Sequence, residues 1–133
     1  VFRSIDAGDT WQRVENGLPH NFGFPIGLAP DSSDTLYIIP QESDEYRLVP
    51  DGNLAVYRST DHGDSWHASA SGLPKKYFNG VLRQAMAVDN KGGVYFGTTG
   101  GHLFFSTNEG DNWQALPQNL PRINSVSIHA VER

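Results

Sequence analysis

Chemistry in this chain has to come from carboxylates, a few arginines and scattered histidines. Asp6 and Asp9, and again Asp61 and Asp64, are acidic pairs beside a glycine, a spacing loosely like that of a calcium loop. Such a loop closes with a bidentate Glu at its twelfth position, and neither pair has one. A second polar stretch, Glu42, Asp44, Glu45, Tyr46 and Arg47, suits contact with a polar ligand or partner. Arg83, followed by Gln84, can clamp a carboxylate or phosphate bidentately, or pair with an acidic residue of a neighbouring sheet. Histidines stand at 20, 62, 67, 102 and 129, with no ligand-like pair and third ligand nearby, and Cys is absent. No glycine-rich phosphate loop opens a helix, and no serine is flanked as a nucleophile elbow. The sequence therefore predicts no catalytic residue, no metal and no cofactor within this segment.

The acidic pairs belong to a repeat. Ser4-Ile5-Asp6-Ala7-Gly8-Asp9-Thr10-Trp11 returns as Ser59-Thr60-Asp61-His62-Gly63-Asp64-Ser65-Trp66 and as Ser106-Thr107-Asn108-Glu109-Gly110-Asp111-Asn112-Trp113. Each Trp is followed eight positions later by a proline, in Gly17-Leu18-Pro19, Gly72-Leu73-Pro74 and Asn119-Leu120-Pro121. The tryptophans stand 55 and 47 positions apart, the length of a four-stranded propeller blade.

The repeated phrase resembles the Asp-box, S-x-D-x-G-x-T/S-W, of the BNR-repeat proteins: sialidases, sortilin-type receptors and bacterial WD40/YVTN/BNR-like repeat proteins. Copies one and two match every defined position, whereas the third has Asn108 for Asp and Asn112 for Thr or Ser. Asn keeps a carbonyl acceptor and tolerates left-handed backbone, so the turn should survive. The resemblance implies a structural box, lying away from any active site and joining the two outer strands of a blade. Ser4, Ser59 and Ser106 and the side chains of Asp6, Asp61 and Asn108 are expected to satisfy turn backbone. Gly8, Gly63 and Gly110 supply positive φ. Trp11, Trp66 and Trp113 are expected to turn inward and seal apolar surface against the neighbouring sheet.

Composition fits an all-β piece: 8 Pro and 14 Gly punctuate short alternating apolar runs, with no helical periodicity. A net charge of −5 argues against a nucleic-acid partner, and no run approaches the ~20 apolar residues of a membrane span. There is no signal peptide and no initiator Met, so the native N-terminus is expected to be missing and the compartment is unassigned. Strands are predicted at 1–4 and 11–14, then 23–29, 35–39, 54–60 and 66–70, then 82–88, 93–97, 102–107 and 113–116, with an innermost strand at 125–131. The predicted fold class is all-β, a partial β-propeller of about two full four-stranded blades plus flanking strands. Residues 1–19 end one blade, 20–74 and 75–121 form the next two, and 122–133 start another or a closing one. Closed propellers need at least about four blades, so the reading is a fragment of a larger propeller, or one share of an oligomeric ring.

The second blade carries an insertion at 40–53 where the third has only Thr98-Thr99-Gly100-Gly101-His102. Long loops on rigid scaffolds often carry function, although Asp51-Gly52 also suits a plain turn. This loop should open opposite the boxes, on a face shared with His20 and with Lys75, Lys76 and Tyr77. Glu42, Asp44, Tyr46, Arg47, Tyr77 and Arg83 are the candidate binding residues. Arg3 and Arg58, immediately before their box serines, are expected to cover strand edges. The functional reading is a non-catalytic binding or scaffolding module for protein, peptide or glycan; a separate class is an assembly factor resembling the photosystem-associated BNR propellers, which also act by binding. The alternative is part of an exo-glycosidase, for which sialidase resemblance implies an arginine triad, a Tyr–Glu pair, an acid Asp and a Phe-Arg-Ile-Pro motif. Here Phe24-Pro25-Ile26-Gly27 lacks the Arg. Expected partners are remaining blades of a larger propeller or a second copy, which would associate through strands 1–4 and 125–131.

Overall fold

A computed structural model describes residues 1–32, 34–129 and 131. Among these residues ten strands form three antiparallel sheets. A two-stranded piece pairs β1 (Phe2–Arg3) with β2 (Gln12–Arg13). A four-stranded sheet follows in sequence order, β3 (Phe22–Leu28), β4 (Leu36–Gln41), β5 (Val56–Ser59) and β6 (His67–Ser69). The second four-stranded sheet comprises β7 (Met86–Val88), β8 (Val94–Gly97), β9 (Leu103–Ser106) and β10 (Gln114–Ala115). Two complete up-and-down blades with flanking strands make this a partial β-propeller.

Three strands depart from expectation. The predicted strand 82–88 is cut to Met86–Val88, because Ala85 N–H donates to Leu82 O and turns the chain at 82–85. Residues 125–131 do not form a strand among the described residues. A parallel bridge from Ser125 to Gln84, with Val126 N–H donating to Gln84 O, replaces it, and Ala130 lies outside the described residues. In β3 the register slips between Gly23 and Ile26, where Pro25 has no N–H to give to a ladder.

The principal core lies between the two four-stranded sheets. Tyr37, Ile39 and Val56 from one sheet meet Met86, Val94, Phe96, Phe104 and Trp113 from the other. Phe96 stacks on Phe104 at 5.2 Å and meets Trp113 edge-on at 5.3 Å.

Two of the three box tryptophans dock on the blade before them. Trp66 is 2% exposed and donates Nε1–H to Val14 O at 3.1 Å; Trp113 is 4% exposed and donates to Ser69 Oγ at 3.1 Å. The backbone joins in, Asn16 O accepting from Trp66 N–H and Ser71 O from Trp113 N–H. Gly17 and Gly72 hold φ of 96° and 92° at these contacts, where a Cβ would collide with the carbonyls of Trp66 and Trp113.

Burial of all three tryptophans is not what forms. Trp11 is 63% exposed, and its indole N–H turns back to Gly8 O at 3.1 Å. The reason is geometric, because no earlier sheet among the described residues lies against it. Arg3 and Arg58 do more than cover strand edges. Arg3 pairs with Asp64 at 2.8 Å and Arg58 with Asp111 at 2.9 Å, each reaching the box of the following blade.

Candidate functional site

Asp6 and Asp61 are consumed by their turns and Asp64 by a blade contact, while the Asp9 carboxylate takes part in neither among the described residues. Ser4 Oγ accepts from Gly8 N–H at 2.7 Å and donates to Asp6 Oδ1 at 2.8 Å. Asp6 accepts Thr10 N–H at 2.8 Å and the Thr10 hydroxyl at 2.5 Å. Ser59, Asp61, Gly63 and Ser65 repeat this network within 0.1 Å. The box serines thus satisfy turn backbone as expected, while the Thr10 and Ser65 hydroxyls bind the carboxylate.

The third box survives its two asparagines, since Asn108 Oδ1 accepts from Ser106 Oγ and from Asn112 N–H at 2.8 and 3.0 Å. Its left-handed residues are Glu109 and Gly110 rather than Asn108, as they are Ala7 and Gly8, and His62 and Gly63, in the other two. The Thr10 hydroxyl, then its N–H and Ser4, hold the Asp6 carboxyl down to about 2; Ser65 and Ser59 do the same for Asp61, also to about 2. Asp61 faces its own turn while Asp64 faces Arg3, so the pair shares no cation. Among the described residues no cluster of three or more His, Asp or Glu is arranged around a metal position.

The other candidates lie on the loop side. Residues 42–48 close on themselves, with Glu42 N–H donating to Leu48 O and Ser43 N–H to Tyr46 O. Pro50–Gly52 then forms one 3₁₀ turn, with Asp51 at φ 52°. Val49 N–H reaches Asn79 O and Tyr77 N–H reaches Gly52 O, which ties the insertion to the 75–80 connection. Tyr77 itself turns inward: it is 9% exposed, and its hydroxyl lies 2.5 Å from Thr98 Oγ1 and 2.7 Å from His102 Nδ1. Burial pushes its phenol up. His20, Asp51, Asn53 and Tyr57 border a separate hollow of about 230 Å³.

Arg47 and Arg83 do converge. Their guanidinium carbons sit 5.1 and 5.7 Å from the ring centre of Phe24 on β3. Cation–π attraction holds such cations near the ring while leaving most of their N–H donors open. Arg47 also pairs with Asp44 at 2.9 Å within the loop, and Tyr46 stands 59% exposed beside it. A pairing of Arg83 with an acidic residue of an adjacent blade is not present among the described residues. Leu82, Gln84 and Asn124 complete a groove of about 340 Å³.

Glu42, partly buried, is not among the residues lining it. Phe24 and Asn124 were not legible as site residues. The alternation Phe22-Gly23-Phe24 hints at an outward ring, but nothing in the sequence brings Arg47 to it across the insertion.

The BNR/Asp-box repeat model matches residues 57–68, the second box. The chain is 29% identical over 80 residues to vacuolar protein sorting/targeting protein 10 of Colletotrichum graminicola, a match covering 60% of this chain and 4% of that protein. It superposes with a TM-score of 0.60 and 21% identity on the GH74 xyloglucanase of Xanthomonas campestris, over 85% of this chain and 17% of that one. The chain thus spans a small part of either protein, and the second likeness is one of fold. Three boxes, two blades and these likenesses agree on a partial β-propeller that carries BNR/Asp-box repeats.

Proposed function

We propose that this propeller segment is a non-catalytic binding or scaffolding module whose contact surface is the groove around Phe24. The observation that carries the reading is the groove's lining: two guanidiniums, two side-chain amides, an aromatic ring and a leucine. Such a set offers many donors and an apolar platform, which suits recognition of a polar ligand on a protein or glycan. Glycoside hydrolysis instead asks for a pair of carboxylates flanking the scissile bond. Asp44, three positions before Arg47, is paired with it. The sorting and targeting named for the relative is also in keeping with a binding role.

The test combines binding and turnover. Protein, peptide and glycan arrays probed with the parent chain should give ligands whose signal drops about tenfold on Arg83→Ala, the size of one lost charged hydrogen-bond contact. The same preparation should leave a fluorogenic sialoside and a xyloglucan oligosaccharide intact. Turnover that disappears on Arg83→Ala or Glu42→Ala would replace this reading with the glycoside hydrolase.

A further inference from the structure

We infer that the outward side of the first Asp-box is a receptor for an arginine carried by another Asp-box blade. The two internal junctions show what such a receptor looks like. At the first, Arg3 donates to His62 O at 3.0 Å and pairs with Asp64 at 2.8 Å, while Trp66 packs against the arginine's own blade. At the second, Arg58 donates to Glu109 O at 2.6 Å and pairs with Asp111 at 2.9 Å, with Trp113 in the same role. Each receptor therefore has three parts: the carbonyl of a left-handed residue, a carboxylate two positions on, and the box tryptophan.

The first box carries all three. Ala7 is left-handed at φ 57°, as His62 and Glu109 are at 59° and 58°, and Asp9 and Trp11 follow at the same spacing. No ion pair or side-chain hydrogen bond engages the Asp9 carboxylate among the described residues, and Trp11 is 63% exposed. Beside them Phe2 and Ile5 are 58% and 82% exposed.

The same comparison decides the occupant. On the outgoing side of the third blade, Phe105 stands immediately before the box serine, where Arg3 and Arg58 stand in the other two. A second copy would present a phenyl ring to Asp9. The occupant is an Asp-box blade with arginine before its box serine, and not another copy of this chain.

Phe105→Arg tests the rule by adding the missing guanidinium. Sedimentation over a concentration series should show head-to-tail association at roughly tenfold lower concentration than the parent chain, as one charge-assisted contact implies. Asp9→Ala in that background should reverse it. Association unchanged by Phe105→Arg, or indifferent to Asp9, overturns the inference. So does micromolar association of the parent chain that Asp9→Ala abolishes, because a second copy would then be the occupant.

A readout independent of that variant uses the peptide 54–65, which carries Arg58 and contains no tryptophan. Titrated into the parent chain, it should shift Trp11 emission to the blue. The shift should vanish with an Arg58→Ala peptide and in Trp11→Phe protein. No shift, or the same shift with both peptides, counts against the receptor.

Discussion

Arg58 and Asp111, from successive blades, form an ion pair of 2.9 Å that Arg3 and Asp64 reproduce one blade earlier at 2.8 Å. The arginine precedes one box serine, and the aspartate lies inside the next box. A residue pattern that looks local in the sequence thus carries the junction between neighbours, and the box is both a turn and a socket.

A double-mutant cycle on Arg58→Ala and Asp111→Ala should give a coupling energy of about 0.5–1 kcal/mol at low salt, the range for exposed pairs with good geometry. Asp111 is 59% exposed, so 1 M salt should remove most of it. Urea unfolding of the four proteins measures this, and zero coupling at low salt would reduce the pair to an incidental contact.

Trp66→Ala should cost about 3–5 kcal/mol, as expected for emptying a site that holds a large, 2% exposed aromatic. Trp11→Ala should cost less than about 0.5 kcal/mol, the usual range for surface substitutions. Equal losses from the two would mean that Trp11 is covered in solution.

Gly72→Ala should destabilise the chain by more than about 1 kcal/mol, since alanine must hold φ 92° and press its methyl group on the Trp113 carbonyl. Gly80→Ala offers a comparison without positive φ, although its Cβ meets Arg47 O. A Gly72→Ala protein with parental unfolding midpoint would place the strain elsewhere.

The blades were legible because the boxes are rigid and phased. Ser, Asp, Gly and Trp each have one use in the turn, so three copies mark the outer strand pair of each blade. The innermost strands were less legible, since β7 is cut short by a local turn and Ser125 is held by a single bridge to Gln84, neither of which alternation reveals. The Ala85–Leu82 turn leaves no trace in the apolar run 85–88.

Site residues divided the same way. Arg47 and Arg83 could be named as polar residues on exposed segments, but their meeting at Phe24 depends on how the insertion folds. Tyr77 was misplaced as a surface residue because Thr98 and His102, which hold its hydroxyl, lie 21 and 25 positions away.

Acid should loosen the boxes within a defined window. Asp6 and Asp61 titrate at about 2 when folded, against about 3.9 for an unfolded aspartate. A depressed folded value means that the contribution is full above the unfolded value and is lost as pH falls through the folded one. Thermal midpoints should therefore drop between about pH 4 and pH 2. The double variant Asp6→Asn, Asp61→Asn should start lower at pH 5, because the hydroxyls of Thr10 and Ser65 lose their carboxylate acceptor. It should then decline less steeply, since Asn108 already shows that an amide carbonyl can hold this turn without a titrating group. Parallel curves for parent and variant across the window would show that acid acts through other carboxylates.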